Sequence, residues 1–115
     1  MKPNVITYKK LILQELTTRR TTRQNPMELW ALAETLATVI GPLEQKHEPH
    51  DYMMIDINLE RFTKAINMLA SDNKILIEVR TFETRTDVDE PLSDIYDRFR
   101  IPAGSFKFFA SIKTA

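Results

Sequence analysis

Between Leu59 and Phe82 the hydrophobic period changes from helical to alternating across a short polar turn, and no other stretch of the chain restricts the fold so tightly. Leu59, Phe62, Ile66 and Leu69 recur at three- and four-residue intervals, which predicts a helix from about Asn58 to Ala70. Ser71-Asp72-Asn73 then supplies turn chemistry. From Lys74 to Phe82 the pattern alternates, with Ile75, Ile77 and Val79 on one face and Glu78 and Arg80 on the other, as a half-buried strand requires. A helix feeding directly into an antiparallel strand predicts an α+β domain.

The flanking signals fill in that class. Tyr8, Leu11, Ile12 and Leu16 predict a first helix with Thr7 as N-cap, ending near Arg19. Asn25, Pro26 and Glu28 read as cap, first position and capping-box carboxylate of a second helix, which Gly41-Pro42 should stop. Trp30 would be that helix's largest core anchor. Residues 43–51 read as an exposed loop and Tyr52–Ile57 as a short strand. Leu92, Ile95, Tyr96 and Phe99 predict a short helix from Pro91, and Phe106–Ile112 a last strand. The expected order is ααβαβαβ in one domain, residues 1–115, with a basic N-terminal helix and arm (1–25) and an acidic insertion (83–104).

The 16 cations and 16 anions balance, but not locally. Residues 1–23 hold six cations (Lys2, Lys9, Lys10, Arg19, Arg20, Arg23) against Glu15 alone, so the rest of the chain is net acidic. Such polarity suits a polyanion or an acidic partner at one end. Cysteine is absent, which removes disulfides, thiolate metal sites and cysteine nucleophiles. Gly41 and Gly104 stand apart, so there is no phosphate-cradling loop. Apolar runs such as Ile75-Leu76-Ile77 are far below a membrane span, and no apolar signal-peptide core follows Lys2. The expectation is a cytoplasmic protein without a membrane role.

The stretch from Ile57 to Phe82, with Phe106–Ile112 returning beside it, resembles the heart of a winged-helix domain. That resemblance implies that the exposed face of the third helix (Glu60, Arg61, Thr63, Lys64, Asn67) is a recognition surface for the major groove. It also implies that Tyr52–Ile57 is the short first strand and that the segment between the last two strands is an enlarged wing.

Thr17 to Arg23 is an uninterrupted run of hydroxyl and guanidinium side chains, read either as a phosphate-contacting arm or as a solvated helix end. Two functional classes follow. The first is a non-enzymatic nucleic-acid-binding regulator or accessory factor for duplex DNA, contacting it through Arg19, Arg20, Arg23, Arg61, Lys64 and Asn67. The second is a protein-binding adaptor or inhibitor acting through Asp87, Asp89, Glu90, Tyr96 and Phe99. His47-Glu48-Pro49-His50-Asp51 contains metal-ligand types, but Pro49 prevents a regular helix from aligning the imidazoles, so it reads as a polar loop and no metal or cofactor is expected. Neither the Asp87/Asp89 and Asp94/Asp97 pairs nor the serines carry a catalytic signature. Phe106 and Phe108 belong to a core strand face, which leaves Phe109 to a partner or the insertion. A homodimer is compatible with the sequence.

Overall fold

A computed structural model describes residues 3–47, 57–81, 83–89, 91–92 and 107–113, with the side chains of 45–47 excluded. Among these the order is α1 (Val5–Thr18), β1 (Met27–Glu28), α2 (Leu29–His47), α3 (Leu59–Ser71), β2 (Ile75–Arg80), β3 (Arg85–Asp87) and β4 (Lys107–Ile112). The α+β class is as expected. The strands form one antiparallel sheet in the order β1-β4-β2-β3, so β4 lies between β1 and β2. The strand expected at 52–57 and the helix expected from Pro91 fall mainly on residues outside those described.

Register separates the two sheet faces. Met27, Ile75, Ile77, Phe108 and Ala110 share the inner face and join the core with Tyr8, Ile12 and Leu16 of α1, Leu29, Leu32, Leu36 and Ile40 of α2, and Phe62, Ile66 and Leu69 of α3. The outer face carries Glu28, Leu76, Glu78, Arg80, Lys107, Phe109 and Ser111. Its alternation is as read, with one correction: Glu78 is 2 % exposed and not a solvent-facing residue.

α3 forms as its periodicity dictates. Asn58 caps it by accepting a bond from the Arg61 N–H. It closes in a Schellman turn, in which the Lys74 N–H reaches the Leu69 carbonyl and the Asn73 N–H that of Ala70. Asn73 stands at φ 58°, a left-handed position that asparagine tolerates.

The second helix departs from expectation at both ends. Met27 and Glu28 pair with Ala110 and Phe109, so the helix begins at Leu29 instead of next to Asn25, and Glu28, read as a capping-box carboxylate, lies in an edge strand. The pairing takes their backbone into the sheet, and Met27 is buried there. At the other end α2 runs through Gly41-Pro42 to His47, so Leu43–His47 is helix instead of loop. Proline in a helix interior costs about 3 kcal/mol, yet the helix continues past it and sets Glu44 against Tyr8 and Arg61. Trp30 is only partly buried; the largest fully buried side chains of α2, among those described, are Leu29, Leu32, Ile40 and Glu44. The first helix also begins earlier than expected. Asn4 is its N-cap, and Thr7 is the third-position residue of a reciprocal capping box.

Candidate nucleic-acid interface

The basic stretch is a rigid turn. α1 stops at Thr18 and closes in the same Schellman geometry as α3, with the Thr21 N–H on the Leu16 carbonyl and the Arg20 N–H on that of Thr17. Arg20 takes the left-handed position at φ 53°, where a side chain with a Cβ is disfavoured. Thr21 is buried. Its hydroxyl donates to the Leu16 carbonyl and accepts from the Ile112 N–H of β4, which fixes the turn to the sheet. Two of the three arginines are engaged. Arg19 pairs with Glu15 at 2.6 Å, and Arg23 grips both carboxylate oxygens of Asp87 at 3.0 Å. Arg20 projects into solvent with no side-chain partner among the described residues.

The third-helix face splits similarly. Lys64 and Glu60 are exposed. Arg61 instead points to α2, where its Nη1 meets both oxygens of Glu44 at 3.2 Å. Asn67 is occupied as well: its amide donates to the Leu92 carbonyl at 2.8 Å and accepts from the Leu92 N–H at 2.7 Å. These two bonds hold the segment after β3 against α3, where Leu92 is buried. Arg61 and Asn67 were expected on the open face of the helix; instead each bonds to another part of the chain.

Arg61 belongs to a cluster that the sequence reading missed. The Tyr8 hydroxyl donates to Glu44 at 2.6 Å and accepts from the Asn58 N–H at 2.9 Å, so one carboxylate joins α1, α2 and the start of α3. Burial, reinforced by the bond to Glu44, raises the Tyr8 phenol well above its ordinary range. A signal was present in the sequence. A tyrosine inside an apolar helical stripe needs a partner for its hydroxyl, and Glu44 was hidden only by the assumed end of α2.

A second carboxylate organises the outer sheet face. Glu78 accepts from Arg80 through Nε at 3.0 Å and Nη2 at 2.7 Å, and from the Nε of Arg85 at 2.7 Å. Burial would raise its pKa, but the hydrogen bonds from Arg85 and Arg80 outweigh that and hold it below the usual carboxylate range. The Arg80 guanidinium also stacks 4.5 Å over the Phe109 ring, which accounts for the aromatic left over by strand alternation. Lys107 lies 3.7 Å from Glu28 in the neighbouring row.

Of the residues expected for protein binding, Asp89 is exposed and Asp87 is held by Arg23. Glu90, Tyr96 and Phe99 lie outside the described residues, as do His50 and the side chain of His47. Among the described residues no group of three or more metal-ligand side chains converges, and no helix is long and apolar enough to cross a membrane. Set against known protein families, curated proteins and solved structures, the chain matches none.

Proposed function

We propose that this chain is a small non-enzymatic module that holds duplex DNA by its phosphates, through Arg19, Arg20, Arg23 and Lys64, without reading bases from α3. The observation that carries this reading is the rigid basic turn: a Schellman cap, tied to β4 through Thr21, presents Arg20 to solvent between two arginines in exposed ion pairs. Such pairs are worth about 0–1 kcal/mol, so phosphate oxygens can replace Glu15 and Asp87 at little cost. Base discrimination needs side chains free to form bidentate contacts with base edges, and Arg61 and Asn67 are bonded elsewhere. The helix, polar turn and antiparallel strand pair at 58–80 with 107–112 are the features that support a binding role of this kind.

Fluorescence anisotropy with a labelled random-sequence duplex across a salt series tests the reading. Log affinity is expected to fall linearly with log salt, and replacing Arg19, Arg20 and Arg23 together by alanine should flatten that slope by about 2–3. Different duplex sequences should bind alike. Absence of binding at about 50 mM salt overturns the reading.

One observation favours a protein partner instead. Among its described side chains the exposed side of α2 presents Ala31, Thr38, Val39, Pro42 and Leu43 with Glu34 as the one charge, and Val39 and Leu43, one turn apart, are 60 % and 43 % exposed. Paired Val39→Glu and Leu43→Glu substitutions should then abolish capture of a partner that survives nuclease treatment.

A further inference from the structure

One acidic segment reaches both elements on which a nucleic-acid role would rest. Asp87, at the end of β3, holds Arg23 of the basic turn in a two-bond ion pair across 64 residues of sequence. Five residues later, Leu92 is clamped at its N–H and its carbonyl by Asn67 of α3 and buries its side chain in the core. β3 is one edge of the sheet, and β1, which Arg23 precedes, is the other. The Arg23–Asp87 pair therefore bridges from the approach to one edge to the strand at the opposite one. Both Asp87 oxygens meet the one Arg23 nitrogen Nη2, a position that phosphate oxygens can take in their place.

From this we infer that Asp87 is an intramolecular competitor for nucleic-acid phosphate at Arg23, held in place by β3 pairing on one side and by the Asn67–Leu92 clamp on the other. The inference rests on the phosphate-binding reading above and adds regulation to it. Affinity is set by an internal exchange, in which a phosphate must displace the Asp87 carboxylate before Arg23 can contribute. Because the anchors at β3 and Leu92 remain, the carboxylate is only displaced, and it retakes Arg23 when the nucleic acid leaves. Chemistry that neutralises or turns away Asp87 would tighten binding without adding a contact.

The test is a double-mutant cycle on the full chain, read by anisotropy with the same random-sequence duplex at low salt. Asp87→Asn is expected to tighten binding about three- to fivefold, in line with removal of an exposed ion pair. Asp89→Asn makes the same charge change at an exposed carboxylate that has no bond to Arg23, and should tighten binding by less than about twofold. In an Arg23→Ala background the gain from Asp87→Asn should vanish, because nothing remains to be released. Equal gains from the two asparagine variants, or an Asp87→Asn gain that persists without Arg23, would show a general charge effect and overturn the competitor role while leaving the phosphate-binding reading intact. If neither the unmodified chain nor any variant binds the duplex, the phosphate-binding reading itself falls, and the inference with it. Matching thermal midpoints for all variants would confirm that folding does not drive the differences.

Discussion

Glu44 and Glu78 are both nearly inaccessible, 1 % and 2 % exposed, and both are held by arginine, but through opposite arrangements. Glu44 draws its partners from other helices, Tyr8 at 36 residues' separation and Arg61 at 17. Glu78 draws its partners from its own hairpin, Arg80 and Arg85 at two and seven residues. Glu44 is satisfied only after three helices have docked, whereas the Glu78 clamp forms whenever β2 and β3 pair. A buried carboxylate with distant partners is a condition on the tertiary structure, and one with near partners is a feature of a local motif. Removing one member of a buried pair leaves the other charge uncompensated, so the comparison predicts unequal penalties.

The largest penalty should follow Glu44→Ala, which strips Tyr8 and Arg61 of the carboxylate they share. A loss of about 3–5 kcal/mol is expected by denaturant unfolding. A loss below about 1 kcal/mol would break the contrast at its stronger end. Tyr8→Phe should cost less, about 1–3 kcal/mol, because it leaves one acceptor and the Asn58 N–H without their hydroxyl. It should also alter the alkaline limb. The folded state raises the Tyr8 pKa, so this contribution is complete below the ordinary phenol value of about 10 and is lost as pH rises above it. Unfolding followed against pH should show that limb in the unmodified chain and not in the phenylalanine variant.

Glu78→Gln should come next, at about 1–2 kcal/mol, since Arg85 is 41 % exposed and water can replace part of what it loses. The sign of its pH dependence is opposite. The folded state lowers the Glu78 pKa, so the contribution is present above the ordinary carboxylate value of about 4.3 and is lost as pH falls below it. The glutamine variant should lack this acid limb. The smallest effect concerns salt. At about 1 M, where screening acts within about 3 Å, the Glu78→Gln penalty should shrink by roughly half while that of Glu44→Ala stays nearly constant. Equal salt sensitivity would erase the distinction between the two sites.

The same division explains what could be read from the sequence. The α3–turn–β2 unit was legible because each signal is local: a strict apolar stripe, the polar turn Ser71-Asp72-Asn73 and clean alternation after it, to which the structure adds Asn58 as cap and Asn73 in the left-handed position. The ends of α2 were not, because distant residues decide them. Asn25, Pro26 and Glu28 carry a sound local cap signal, but Ala110 and Phe109 recruit Met27 and Glu28 into the sheet. Gly41-Pro42 carries a sound stop signal, but Tyr8 and Arg61 hold Glu44 in the turn beyond it. At the candidate interface, periodicity put Arg61 and Asn67 outside the apolar stripe of α3. Only the fold could show that α2 and the segment at Leu92 lie there to receive them. Charge counting likewise separated the basic arm from the acidic segment, whereas Arg23 and Asp87 in fact meet.

The central position of β4 has a consequence for synthesis. β1 and β2 are both synthesised before β4, yet neither pairs with the other; both bond to the strand made last among those described. Until residues 107–112 are free, Met27 and Glu28 have no ladder, Ile77 and Val79 lack one flank, and Thr21 has no Ile112 amide to hold. The nascent chain can form α1, α3 and the β2–β3 hairpin, but it cannot complete the sheet or close the inner face over the helices. Folding is therefore expected to end in a late, concerted step once residues 107–112 become available, with apolar strand edges exposed to chaperones until then.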